Sequence, residues 1–252
     1  MSNRGSEWVV MCGLVLALAC NPSEDGPSQA PAPGTKVITA PEPPPDTEEP
    51  RPAPEAAPAV EADGPRDLSC IYLQPLGDVS DQTTAIVREA LATTYGVELR
   101  TGPLRPLPED AFYEPRKRYR AEKLLDHLDT WLPADCDRIV GITRKDISTT
   151  KGEHEDWGIL GLGRVPGKSC VVSSFRVRKK LKKVPADERL ARVAIHELGH
   201  TLGLPHCPTL GCLMEDAQGT VVTIDRETHL CDRCLKRIGW QGAKPAPRPE
   251  FD

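Results

Sequence analysis

The eleven residues from His196 to His206, HELGHTLGLPH, constrain the possible folds of this chain more than any other feature. Residues four apart lie on one face of an α-helix, so we expect His196 and His200 to project together from a helix. Gly203 lets the chain leave that helix in a conformation that other residues resist, and the turn returns His206 as a third ring nitrogen. Three histidines can hold one zinc ion and leave its fourth position open, which is the arrangement of a catalytic zinc site.

Glu197 lies beside these histidines without being a ligand itself. A carboxylate there can take a proton from a zinc-bound water that attacks a peptide carbonyl, and can pass it to the leaving amine. The extended pattern HExxHxxGxxH is far more specific than HExxH alone, and it predicts a zinc metallopeptidase acting on peptide or protein substrates. The alternative is a catalytically idle zinc-binding module that recognises peptides or envelope proteins. The presence of the base, Glu197, argues against this alternative.

Four cysteines follow the third histidine within 28 residues: Cys207, Cys212, Cys231 and Cys234. Four thiolates suit a closed tetrahedral zinc site, which would be structural and would fix the C-terminal segment against the end of the active-site helix. Two disulfides are the main alternative, because an oxidising compartment consumes free thiols. A redox pair formed by Cys231 and Cys234 is a third.

The N-terminal part of the chain resembles an export signal followed by a tether. An apolar run of 12 residues, 8–19, is too short to span a bilayer but fits a signal peptide, and it ends at Cys20 in a sequence like that of a bacterial lipobox. Residues 21–66 hold 13 of the 26 prolines and few large apolar side chains, which predicts a disordered linker. We therefore expect a signal peptide over 1–20, a linker over 21–66 and a folded domain over 67–252. Lipidation of Cys20 would anchor the domain in the bacterial cell envelope, facing the periplasm or the exterior, without a transmembrane helix.

The domain shows strands that alternate with helices, which indicates an α/β fold with a mainly parallel sheet. The predicted strands are 68–75, 97–100, 138–143, 158–165 and 170–177, and the predicted helices are 80–95, 115–131 and 185–203. The polar segment 144–158 lacks periodicity and is predicted to be a long loop.

Charge and the remaining cysteines give two further expectations. The net charge of −5 comes from the acidic linker, so the domain is close to neutral and is not expected to bind nucleic acid. Cys70 and Cys170 lie in apolar strand-like contexts that predict buried thiols. A disulfide between two of Cys70, Cys136 and Cys170 is the competing interpretation.

The run HELGHTLGLPHCPTLGCLM, residues 196–214, resembles the archaemetzincins, whose pattern is HExxHxxGxxHC, four residues, CxM and a later CxxC. Sixteen residues separate Met214 from Cys231, one fewer than is usual in that family. The similarity extends over roughly 68–240.

The resemblance implies a single metzincin-like α/β domain that contains an active-site helix, an antiparallel edge strand and two zinc ions. It places catalytic zinc on His196, His200 and His206, the base on Glu197, and the methionine turn on Met214, which could otherwise be an ordinary core residue. It places a structural zinc on the four cysteines, Cys207, Cys212, Cys231 and Cys234. It also implies an edge strand that pairs with extended substrate, for which residues 161–165 are the candidate.

Overall fold

The strands of the protein form one twisted sheet, seen here in a computed structural model that describes residues 7–12, 68–178, 184–217, 220–240 and 244–251. Of residues 7–12 only the backbone is described. The predicted linker and Cys20 lie outside these ranges. The strands are β1 (Glu7–Cys12), β2 (Cys70–Leu76), β3 (Glu98–Thr101), β4 (Phe112–Tyr113), β5 (Arg118–Arg120), β6 (Arg138–Thr143), β7 (Ile147–Lys151), β8 (His154–Val165) and β9 (Ser169–Ser173).

The strand order is β3-β2-β6-β9-β8-β7-β5-β4, with β1 beside β8. Strands β3, β2, β6 and β9 are mutually parallel, and β8 runs antiparallel to β9. The predicted α/β class with a mainly parallel sheet is therefore confirmed. The antiparallel strand β8 was expected at the sheet edge, and in this order it lies between β9 and β7.

Helices cover both faces of this sheet. They are α1 (Asp81–Tyr95), α2 (Ala121–Trp131), α3 (Ser174–Val177), α4 (Ala186–Thr201), α5 (Val221–Arg226) and α6 (Asp232–Arg237), with 3₁₀ turns at Glu109–Ala111 and Glu114–Arg116. Helices α1 and α4 contribute to one buried apolar cluster, and α2 contributes to a second cluster on the opposite face. Among the described residues, no helix is both long and apolar enough to cross a bilayer.

Local sequence signals define the ends of α1. The Ser80 hydroxyl accepts a hydrogen bond from the Thr83 backbone N–H, and Gly96 ends the helix at φ +62°. Both are the residues that helix-capping chemistry favours, because a short polar side chain satisfies a free N–H and glycine tolerates the left-handed region. The predicted bounds of this helix and of β6 are confirmed.

Three predicted elements differ from the structure. The helix predicted over 115–131 begins only at Ala121, because Arg118–Arg120 form β5 instead and pair with β7. The loop predicted over 144–158 is wrong, since β7 and the first half of β8 form a hairpin there, turning at Gly152 with φ +55°. Polar residues conceal the strand pattern of this hairpin, because Ser148 and Thr149 of β7 are polar although buried, and residues 150–151 and 154–155 are exposed.

The third predicted element that differs is the strand over 170–177. It ends at Ser173, where the Ser173 hydroxyl caps α3. Pro185 was expected at the first position of the active-site helix, and it lies one residue earlier, at the N-cap of α4. Asp187 and Glu188 fall in the first turn, where carboxylates interact favourably with the positive end of the helix dipole.

The three remaining cysteines of the domain, Cys70, Cys136 and Cys170, differ in their bonding. Cys70 and Cys136 form a disulfide, with 4.6 Å between their Cα atoms, which joins the start of β2 to the loop before β6. The interpretation of Cys70 as a free thiol was therefore wrong, and the competing disulfide was right. Cys170 is a buried free thiol, as predicted.

Candidate active site

Helix α4 and the chain that follows it assemble the three histidines. His196 and His200 lie one turn apart in α4 and are fully buried. After α4 ends at Thr201, Gly203 adopts φ +81° and the chain folds back to His206. The three side chains offer nitrogen atoms that all lie within 4.8 Å of one another, a group that could hold a metal ion.

Backbone carbonyls fix the orientation of two of these rings. His196 Nδ1 lies 2.8 Å from the Leu213 carbonyl oxygen, and His200 Nδ1 lies 2.7 Å from that of Leu204. If each Nδ1–H donates to its carbonyl, each Nε2 keeps a free lone pair. These two Nε2 atoms are 2.9 Å apart, close to the separation of about 3.3 Å expected for two nitrogens on one tetrahedral zinc.

The surroundings keep the histidines neutral, which is the state that binds a metal. Burial, together with the neighbouring His200 and His206, lowers the pKa of His196 well below its ordinary value. Burial lowers the pKa of His200 to about 4. It also lowers the pKa of His206, while Asp216 acts in the opposite direction. Within the described residues the His206 Nε2 atom is buried without a hydrogen-bond partner, as expected of an atom that can bind a metal ion.

Glu197 is fully buried beside this cluster. Burial raises the pKa of its carboxyl group well above the ordinary value, and the Gly163 N–H partly offsets this. Neither carboxylate oxygen has a hydrogen-bond partner of good geometry in the part of the chain described. An unpaired buried carboxylate is costly, so its presence beside three histidines indicates a group that acts on a bound water or substrate.

Two glycines of β8 allow that strand to lie directly over Glu197. A Cβ atom on Gly161 would lie 2.6 Å from Glu197 Cγ, and a Cβ atom on Gly163 would lie 2.8 Å from the Glu197 carbonyl oxygen. Both distances are too short for any real side chain. Residues 161–165 were predicted to form an edge strand, but their close approach to Glu197 was not predicted. The glycines two residues apart in LGLG, residues 160–163, are the signal that could have revealed it.

The same part of β8 has an edge that accepts another strand. On the side away from β9, β8 pairs antiparallel with β1, with Val9 opposite Gly163 and Val10 opposite Leu162. The predicted edge strand therefore lies against Glu197 and can form a backbone ladder with an extended chain.

Met214 packs against Gly199, which lies between His196 and His200 in α4. Met214 is fully buried, and a Cβ atom on Gly199 would collide with its sulfur. Its carbonyl oxygen accepts a hydrogen bond of 2.7 Å from the Cys207 N–H. Gly199, between the two helical histidines, therefore makes room for Met214.

The four cysteines form a second group behind the site. Their sulfur atoms all lie within 4.8 Å of one another, with Cys207 and Cys231 3.6 Å apart and Cys212 and Cys234 3.7 Å apart. A tetrahedral site with metal–sulfur bonds of about 2.3 Å has sulfur atoms about 3.8 Å apart. The four thiols are unbonded, which argues against two disulfides. The contact with the Cys234 thiol lowers the pKa of Cys212, which favours the thiolate form that binds a metal.

Known proteins resemble this chain in sequence. The sequence model of peptidase family M54 matches residues 104–239. An archaemetzincin from Halobacterium salinarum is 29% identical over 177 residues, which cover 67% of this chain and 98% of that protein.

Crystal structures of two archaemetzincins share the fold. The protein from Methanopyrus kandleri has a TM-score of 0.57 and 30% identity, covering 69% of this chain and 96% of its own. The protein from Archaeoglobus fulgidus, complexed with malonate, has a TM-score of 0.56 and 28% identity, covering 67% of this chain and 99% of its own.

Proposed function

Because the chain belongs to peptidase family M54, the archaemetzincins, and is a zinc metallopeptidase, we propose that it hydrolyses peptide bonds at the site formed by His196, Glu197, His200 and His206. The observation that carries this proposal is the buried, unpaired Glu197 carboxylate beside three convergent histidines.

The histidines would hold the metal through Nε2 on His196 and His200, and through the unpartnered Nε2 on His206. Zinc supplies Lewis acidity at such a site, polarising a peptide carbonyl and lowering the pKa of water to about 7. The carbonyls of Leu213 and Leu204 keep two of the rings in the orientation that this requires.

Glu197 is the proposed general base. It would accept a proton from the attacking water and transfer it to the leaving amine. The backbone of β8 would hold an extended substrate antiparallel to itself, directly over the Glu197 carboxylate. The antiparallel pairing of β8 with β1 supports this role, because a bound peptide would use the same backbone N–H and C=O groups of β8.

The four-cysteine group is proposed to hold a second, structural zinc, giving two zinc ions per chain. A closed set of four thiolates leaves no position for a reacting water, so its role would be to stabilise the fold. It would fix the start of α6, which carries Cys231 and Cys234, to the segment after His206, which carries Cys207 and Cys212.

We also propose that the protein is a lipoprotein of the cell envelope, anchored through Cys20. This proposal rests on the sequence alone, because Cys20 lies outside the described residues. Cleavage before Cys20 would remove β1 and leave the β8 edge free for substrate. Mass spectrometry of the mature N-terminus should find a diacylated cysteine, and an unmodified N-terminus would refute the anchor.

A peptide library tests the peptidase proposal. Zinc-loaded protein should cleave a subset of peptides, and Glu197→Gln should retain the metal but lose about 10²–10⁴-fold in rate. A variant that cleaves as fast as the wild type would remove Glu197 from the mechanism. No cleavage by either protein would favour the alternative, an idle zinc-binding module.

A further inference from the structure

The three histidines differ in what faces their outer ring nitrogen. His196 and His200 are buried, and each has a backbone carbonyl within 2.8 Å of Nδ1. His206 has a side chain that is 30% exposed, and its Nδ1 faces the Asp216 carboxylate at 3.7 Å. Asp216 is the polar partner found for His206 Nδ1 in the described part of the chain.

The two residues that precede Asp216 are held by contacts of their own. The Met214 carbonyl oxygen accepts a hydrogen bond from the Cys207 N–H. Glu215 accepts a hydrogen bond of 2.9 Å from the Gly211 N–H and forms an ion pair with Arg226. With these two residues fixed, the backbone presents Asp216 beside the exposed edge of the His206 ring.

We propose that Asp216 is a positioning residue that orients His206 for zinc by accepting the proton of Nδ1. The inference rests on the metal site of the proposed function. A carboxylate acceptor selects the tautomer with a free Nε2 and makes the ring a stronger ligand, the same service that backbone carbonyls give His196 and His200.

The distance and exposure fit this role. A separation of 3.7 Å is longer than a direct hydrogen bond, and a small rotation of Asp216 or one bridging water would connect the two groups. The Asp216 side chain is 48% exposed, so its charge keeps much of its hydration. Its negative charge also acts on the pKa of both His206 and His200 in the direction that opposes burial.

The test measures metal binding in the full chain, independently of peptide cleavage. Competition with a chelator gives the zinc affinity of Asp216→Ala and Asp216→Asn. Cobalt substitution separates the two sites, because thiolate ligands give an intense charge-transfer band and histidine ligands do not. Asp78→Asn is the control for net charge, since Asp78 forms a similarly loose pair of 3.6 Å with Lys145 outside the site.

We expect Asp216→Ala to weaken zinc binding at the histidine site by about 10–100-fold. Asp216→Asn should fall between alanine and wild type, because its amide oxygen still accepts a hydrogen bond but carries no charge. The thiolate band and the Asp78→Asn control should stay unchanged.

Two results would overturn the inference. One is an Asp216→Ala variant that binds zinc at the histidine site within threefold of the wild type. The other is an equal loss at the thiolate site, which would indicate a general fault in the loop. A wild-type protein that binds zinc but cleaves no peptide would refute the proposed function and leave the role of Asp216 intact.

Discussion

Substituting Gly161 by alanine tests the arrangement of β8 over the Glu197 carboxylate and the proposed role of that group. The new Cβ atom would lie 2.6 Å from Glu197 Cγ and 2.8 Å from Oε1, whereas ordinary carbon contacts begin near 3.4 Å. Either β8 or the Glu197 side chain must therefore move by about 1 Å. A displacement of about 1 Å in a catalytic group can cost about 100-fold in rate.

We therefore expect Gly161→Ala to lower kcat/KM by about 100-fold, or about 2.7 kcal/mol in transition-state free energy, while both metal sites stay loaded. Peptide cleavage gives the rate, and elemental analysis of the purified variant gives the zinc content. Gly152→Ala is the matched control, because it has no atom within 4 Å of the new Cβ and lies in the β7–β8 turn.

Gly152 has a positive φ, so the control should lose some stability but retain activity. Activity of Gly161→Ala within threefold of the wild type, with zinc retained, would show that Glu197 is not held against β8. Loss of zinc together with activity would also refute the reasoning, because the clash involves the base and none of the histidines.

Three further predictions concern stability and metal. Burial raises the pKa of Glu227 from 4.5 to about 9. The contribution of this carboxyl group to stability is therefore full below about pH 4.5 and is lost as pH rises toward 9. Glu227→Gln should raise the free energy of unfolding by about 3 kcal/mol at pH 7 and by less than about 1 kcal/mol at pH 5; equal urea midpoints at pH 7 would contradict this. Gly199→Ala should destabilise the protein by about 1–3 kcal/mol through its clash with Met214, although alanine favours helices, and a raised thermal midpoint would count against it. Denaturation with chelator but without reductant should leave all four cluster thiols open to alkylation and Cys70 protected, and finding the cluster thiols unmodified would indicate disulfides instead.

The sequence predicted that the three histidines lie together, because the features behind that grouping are local. His196 and His200 are one helical turn apart, and the structure buries both on α4, with Gly203 in the predicted left-handed conformation and His206 returning to them. The spacing along a helix and the conformational range of glycine are properties of a few consecutive residues. They hold wherever the helix lies in the fold.

The same reasoning failed where an element owes its conformation to a distant partner. Residues 147–151 are polar and aperiodic, yet they form β7 because β5 and β8 satisfy their backbone groups on both sides. Residues 118–120 lie in a stretch with helical periodicity, yet they pair with β7. Strand pairing is decided by partners far along the chain, so a local pattern cannot select it.

The sequence by itself determined a zinc-type histidine motif, a glutamate beside it, four clustered thiols and an α/β fold, because each follows from residue type and short-range spacing. Only the tertiary structure decided that Gly161 and Gly163 lie against Glu197, that Asp216 faces His206, and that Cys70 pairs with Cys136. Gly161 and Glu197 belong to different elements. The distance between such groups is set by strand register and by how helices pack on the sheet, which depend on the whole folded chain.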